Sequence, residues 1–242
     1  MQLIREKMTI PKDYPHLVRP RLLTSLAEGL QGYGATVIAG RAGTGKTTLA
    51  ADFARRYKHA GAARRVVWYT VNAPETDLRW FLQYLTACVA EQCPEFGARA
   101  LLQVIQRTAA HDVSTLAELF AHELQKLTTP LLLIIDDLHL VYDGYWLTPF
   151  FYRLLTLLSE ETQLLILARS LPPAPLWRLR SKQRLYVLTE TELAFTPSEA
   201  LELFAHHGLA AGQAGAALAQ SHGRISALTS LVTRTHRTTL AV

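Results

Sequence analysis

Apolar positions in this chain recur in two rhythms, and the alternation between them is that of an α/β domain. Apolar-rich stretches of strand length lie at 35–39, 65–71, 131–135, 163–168 and 185–188, that at 131–135 without a break. They are rich in Val, Ile, Leu and aromatic residues without polar alternation, which predicts strands buried on both faces, as in a parallel sheet. Between them apolar residues return every three or four positions. Leu78, Phe81, Leu82, Leu85 and Val89 share one helical face, and Leu116, Leu119, Phe120 and Leu124 share another. Further helices are expected at about 22–30, 48–56 and 147–158, with one short helix and a loop over 97–113. Residues 8–21 contain Pro11, Pro15 and Pro20 and are expected to be irregular.

From Glu190 the strand rhythm stops. Thr196-Pro197-Ser198-Glu199 is a helix start, with Thr196 as cap, Pro197 at the first helical position and Glu199 at the third; Gly208 is the stop. Two more helices are expected, at about 211–221 and 225–234. The expected organisation is an N-terminal arm and lead-in helix (1–34), a sheet domain of five mainly parallel strands flanked by helices (35–189), and a small helical lid (190–242) that begins a larger regulator.

Composition narrows the class. At 242 residues and 49% hydrophobic, the chain can bury a full core and is neither disordered nor fibrous. The net charge of +5 favours acidic partners such as nucleotides without demanding nucleic acid. Cys88 and Cys93 have no metal-ligand partners at recognised spacing and read as reduced structural residues of a cytoplasmic protein. The first seven residues lack a signal peptide's apolar stretch, and the run 131–135 is far below the ~20 residues of a membrane helix.

The candidate chemistry starts at Gly40-Arg41-Ala42-Gly43-Thr44-Gly45-Lys46-Thr47, which fits G-x-x-x-x-G-K-[ST] at every fixed position. Glycines let successive N–H groups converge on an anion, and the helix that follows turns its positive end toward the same phosphates. In this reading residues 40–48, through Thr48, cradle ATP or ADP. Lys46 reaches the β- and γ-phosphates and Thr47 is a Mg²⁺ ligand. A Gly-rich turn with an exposed lysine is the plain alternative, but the preceding strand and following helix stand in the order a P-loop NTPase requires.

The second informative stretch is 131–137, an apolar strand ending in Asp136-Asp137. In a parallel sheet ligands gather at the carboxyl ends of strands, which brings both carboxylates to the phosphates. Asp136 would hold Mg²⁺ with Thr47, and Asp137 would orient or deprotonate the attacking water. Arg169, after another strand, is a candidate γ-phosphate sensor; a salt bridge to Asp136 or Asp137 is its alternative. Asp137, Lys46 and Arg169 are thus the catalytic candidates. The cluster Arg178, Arg180, Lys182 and Arg184 reads as a solvated face, and His206, His207 and His222 have no ligand set around them.

Together these motifs resemble the nucleotide-binding module of STAND ATPases, specifically the MalT-like branch of large LuxR-type transcriptional activators. The likeness spans about residues 15–235 and rests on Val18-Arg19-Pro20-Arg21-Leu22-Leu23, Gly40 to Thr48, Ile135-Asp136-Asp137-Leu138-His139, Ala168-Arg169-Ser170 and Leu193-Ala194-Phe195-Thr196-Pro197-Ser198-Glu199-Ala200, in that order. The resemblance implies an ATP/ADP switch in which ADP holds a closed monomer and ATP with an inducer drives self-association. It places Val18 and Arg19 near the adenine and makes Arg169 the sensor. It also implies sensor and DNA-binding domains in a longer protein. With no helix-turn-helix visible and basic residues scattered, no direct DNA binding by this part is expected, nor a membrane. The Gly-x-Pro element of many such lids lacks its proline here, at Gly223-Arg224-Ile225. Slow Mg-dependent hydrolysis is the leading expectation; an ADP-holding scaffold and an AAA+-like ATPase are the others. An AAA+ motor or loader would be expected to carry Asp-Glu where this chain has Asp136-Asp137.

Overall fold

The computed structural model describes residues 4–12, 16–61, 63–72, 77–108 and 112–240, with side chains through residue 234. Five strands form one sheet: β1 (Ala35–Ala39), β2 (Arg65–Thr70), β3 (Leu131–Asp136), β4 (Thr162–Ala168) and β5 (Leu185–Leu188). Their order is β2-β3-β4-β1-β5, and each of these neighbouring pairs is parallel. Helices α1 (Pro20–Gly32), α2 (Lys46–His59), α3 (Leu78–Gln92), α4 (Ala98–Arg107), α5 (Val113–Gln125), α6 (Leu147–Leu157) and α7 (Ala174–Trp177) connect and cover the strands. Four more follow: α8 (Glu190–Leu193), α9 (Pro197–His206), α10 (Ala211–Ser221) and α11 (Ile225–Leu240).

Successive strand residues point to opposite faces, so a sheet covered twice needs apolar side chains at every position. In β1, Val37 faces a core built with Phe81 of α3, Phe120 of α5 and Phe150 of α6. Its neighbour Ile38 faces a second core with Leu22 and Leu26 of α1 and Leu49 and Ala54 of α2. That double burial explains the apolar-rich runs. A third cluster, with Phe195, Leu203, Phe204, Leu228 and Val232, belongs to the C-terminal helices, and Leu17 of the arm packs against it.

Two local readings change. Residues 5–8 form a 3-10 turn that buries Met8, and α1 begins at Pro20 inside the stretch expected to be irregular. Proline at a first helical position loses an N–H that had no partner anyway, so Pro20 opens the helix rather than preventing it. The last helix runs to Leu240, beyond the expected end at 234. The sequence also predicts a turn at Asn72-Ala73-Pro74-Glu75-Thr76, which from 73 onward lies outside the described residues.

The strand order sets the site. Chain order reverses beside β1, where open α/β sheets leave a crevice at the carboxyl ends of their strands. The P-loop leaves β1, Asp136 ends β3, and Arg169 follows β4, which lies between them. Among the described residues no helix is long and apolar enough to cross a membrane.

Candidate functional site

The loop from Gly40 to Gly45 is tied to the sheet at its first residue, whose N–H donates to Ala168 O over 3.1 Å. Gly43 and Gly45 sit at φ +78° and +86°, in the left-handed region where a side chain costs about 1–2 kcal/mol. Gly45 O then accepts from Leu49 N, the first bond of α2. Lys46 is buried and bends back into the loop, its Nζ donating to Gly40 O at 2.6 Å and Arg41 O at 3.0 Å. Burial lowers its pKa, an effect opposed by Asp136 and Asp137. Thr44 Oγ1 closes the turn by donating to Arg41 O. Ala42 and Thr48 are exposed at the rim.

Thr47 Oγ1 donates to Asp136 Oδ2 over 3.1 Å, so the two residues read as magnesium ligands meet across the sheet. Asp136 is only 4% exposed. Its other oxygen accepts from Asp137 N at 2.9 Å. Burial first, and then the charge of Asp137, push its pKa up to about 6, against the Thr47 hydrogen bond and Lys46. Asp137 adopts φ +56° and keeps a third of its side chain exposed. Arg169 is exposed, and among the described residues no ion pair joins it to Asp136 or Asp137. It is close enough to lower the pKa values of Lys46 and His139 through its charge.

Arg19 and Val18 lie on the arm just before α1. Val18 is half-buried, whereas Arg19 is a buried cation. The Arg19 guanidinium donates to Leu193 O at 2.6 Å and lies 4.8 Å over the Phe195 ring, and its Nη2 would be 3.2 Å from a Cβ built on Gly45. Burial holds its pKa down at about 10, opposed chiefly by Glu199. Arg21 continues the seam, donating to Glu192 O and Ala194 O and pairing with Glu199.

Contacts that the sequence did not reveal come from the lid. Glu190, first residue of α8, takes the Arg41 side chain in a forked pair with a shortest distance of 2.7 Å, and its Oε2 also accepts from Arg41 N. Those hydrogen bonds, opposed by partial burial, hold the Glu190 carboxyl below its ordinary range. Ser226, in the first turn of α11, donates its N–H to Gly43 O at 3.1 Å. A Cβ on Gly43 would come within 2.4 Å of Ser226 Oγ, and one on Gly45 within 3.3 Å of Ile225 Cγ2. The lid therefore rests on the P-loop through Ile225 and Ser226 without the proline. Gly223, at φ +72°, makes this approach by accepting from Phe195 N over 2.9 Å. His139, quoted in the motif after β3 but given no role there, comes close to the second carboxylate: its Nδ1 lies 3.6 Å from Asp137 Oδ1.

The other sequence candidates stay apart from this centre. Arg178, Arg180, Lys182 and Arg184 are exposed, with Arg180 stacked on Trp177. His206, His207 and His222 are exposed, and among the described residues no cluster of three or more His, Cys, Asp or Glu could hold a metal. Cys88 and Cys93 are buried and, among the described residues, form no disulfide.

Comparison with known proteins gives a consistent picture. A family model described as an AAA ATPase domain matches residues 20–171. The HTH-type transcriptional regulator MalT of Klebsiella pneumoniae is 32% identical over 205 residues, covering 84% of this chain and 22% of that protein. MalT of Cronobacter sakazakii is 31% identical over the same share. The chain thus spans about a fifth of the length of the curated relatives it matches. Among solved structures, the Aeropyrum pernix ORC1 protein in complex with DNA aligns at a TM-score of 0.51 and 20% identity, covering 81% of this chain and 50% of that one; this is a likeness of fold.

Proposed function

Because the chain belongs to the AAA ATPase domain family, we propose that it is an ATP/ADP-binding regulatory switch with slow Mg-dependent hydrolysis, within a signal-transduction regulator of transcription. An Asp in place of Glu after the first carboxylate does not set it outside that family. The observation that carries the switch reading is the direct seating of the lid on the P-loop: Ser226 on Gly43 and Glu190 on Arg41. A nucleotide that fills this loop must accommodate or displace those contacts, and only such differential affinity lets a ligand shift a conformational equilibrium.

The residues present fit the groups proposed. Two left-handed glycines shape the loop, where a Cβ would meet Ser226 at Gly43 and Arg19 or Ile225 at Gly45, and a buried lysine Nζ donates to carbonyl acceptors within the loop. In this reading Gly40, Arg41, Ala42, Gly43, Thr44, Gly45, Lys46, Thr47 and Thr48 hold the phosphates, and Val18 and Arg19 border the adenine. Thr47 and Asp136, with hard oxygen donors 3.1 Å apart, would hold Mg²⁺. When bound, the ion neutralises charge on the β- and γ-phosphates. Lys46 steadies the same oxygens, Asp137 orients the water, and Arg169 senses whether a third phosphate is present.

By the same reading, ADP holds the closed lid and ATP opens it, promoting self-association of a longer protein whose sensor and DNA-binding domains lie outside this stretch. This part binds nucleotide rather than DNA. Small-angle scattering with ADP and with a non-hydrolysable ATP analogue tests the switch. A larger radius of gyration or a dimer with the analogue is expected. Superimposable profiles with tight binding of both would refute the switch and favour an ADP-holding scaffold.

A further inference from the structure

We propose that His139 is a positioning residue for hydrolysis: through Nδ1 it orients the Asp137 carboxylate toward the attacking water. The inference rests on the hydrolytic reading above and adds a group to it.

The geometry begins with the backbone of Asp137. At φ +56° it occupies the left-handed region, uncommon for residues other than glycine. The conformation is held by Asp137 N donating to Asp136 Oδ1 at 2.9 Å and by Leu140 N donating to Asp137 O at 3.0 Å. The chain then enters a 3-10 turn, Leu138–Val141, whose end residues are buried in the core. That turn carries His139 back against the carboxylate two residues before it.

His139 Nδ1 lies 3.6 Å from Asp137 Oδ1, and it is a buried nitrogen without a hydrogen-bond partner among the described residues. Buried ring nitrogens are nearly always partnered, so an orphan facing a carboxylate calls for a reason. The separation exceeds hydrogen-bonding range by a few tenths of an ångström, as catalytic contacts often do before substrate arrives. Asp137 keeps 34% of its side chain exposed against 14% for His139, so the carboxylate is the more open of the two to water. The charged groups facing the imidazole are Asp137, Arg169 and Lys46, and burial is the main cause of its lowered pKa. Burial thus favours the neutral ring, which in this role acts as a fixed dipole rather than a cation. With its proton on Nδ1 it donates to Oδ1 and leaves Oδ2 for the water. In hydrolysis a bond forms from the water oxygen to phosphorus, the bond to the ADP oxygen breaks with its electron pair, and the water proton passes to Oδ2.

The test compares multiple-turnover phosphate release and fluorescent-ATP affinity in wild type, Asp137→Asn, His139→Ala, His139→Asn, His139→Gln and Asp137→Asn with His139→Ala. An asparagine amide nitrogen stands where Nδ1 does, whereas a glutamine amide stands where Nε2 does. The expected result is a fall in kcat on the order of ten- to a hundredfold in His139→Ala and His139→Gln, with KM and affinity unchanged. His139→Asn keeps most of the turnover, and His139→Ala adds no loss on top of Asp137→Asn. The Asn and Gln comparison stands even if the alanine variant misfolds. Equal rates for Asn and Gln, additive losses in the double variant, or normal turnover in His139→Ala beside a dead Asp137→Asn would overturn the role of His139 alone. Wild-type release no faster than the protein-free blank would refute hydrolysis itself, and this role with it.

Discussion

Replacing Asp136 by Asn should make the nucleotide-free protein more stable while damaging its magnesium-dependent affinity. The carboxylate is 4% exposed and adjoins a second acid, and its pKa rises from 3.8 to about 6. At 1.36 kcal/mol per pH unit, that displacement corresponds to roughly 3 kcal/mol of destabilisation at pH 8. The sign follows from the protons bound. Between pH 3.8 and about 6 the folded state keeps a proton that the unfolded chain has lost, so stability falls as pH rises through the folded value. Asparagine carries no charge and can keep both partners, its oxygen accepting from Asp137 N and its amide donating to Thr47 Oγ1. Thermal unfolding in a chelator without nucleotide should show the variant melting about 6–12 °C higher at pH 8, taking ~2–4 °C per kcal/mol for a chain this size. The gap should shrink below pH 6 and close toward pH 4. A variant that melts lower than wild type at pH 8, or a gap constant from pH 5 to 8, would refute the reasoning. Function retains a destabilising buried charge at such a site, a familiar trade of stability for activity.

Gly43→Ala should loosen the lid, because its Cβ would lie 2.4 Å from Ser226 Oγ and 2.8 Å from Ser226 Cβ. Amide exchange across 225–234 should quicken, and Ser226→Gly should restore part of the protection but not the ~1–2 kcal/mol cost of an alanine at positive φ. The clasp of Arg41 and Glu190 is solvent-exposed and should be screened by salt, so lid protection should fall with ionic strength in wild type and hardly at all in Glu190→Gln. Acid should act alike: the lowered Glu190 pKa means the clasp is intact above the ordinary Glu value and lost as pH falls through the lowered one. Lid protection in Glu190→Gln that depends on salt and acid as in wild type would remove the clasp from the account.

The sheet was legible because every strand is buried on both faces, which leaves unmistakable apolar runs. The P-loop was legible because its backbone requires glycines and a lysine at set spacing, and Asp136 because strand ends in a parallel sheet converge. The seating of the lid was not, since it depends on Ser226 meeting Gly43 and Glu190 meeting Arg41, residues far apart in sequence with no periodic signature. Arg19 was drawn to the site by resemblance; its burial between Leu193, Phe195 and Gly45 is a tertiary outcome. His139 stood in the motif, but its approach to Asp137 was hidden, because it follows a left-handed Asp137 that no local rule specifies here.

The central claim is that nucleotide phosphates bind in the loop from Gly40 to Thr47 and are held there by Lys46. Calorimetric titration of ADP and ATP with Mg²⁺ into the wild-type protein and Lys46→Ala tests it most directly. Saturable one-to-one binding by wild type and loss of most of that affinity in a Lys46→Ala protein with an unchanged circular-dichroism spectrum are expected. Unchanged affinity in Lys46→Ala, or no heat of binding with the wild type, would contradict it.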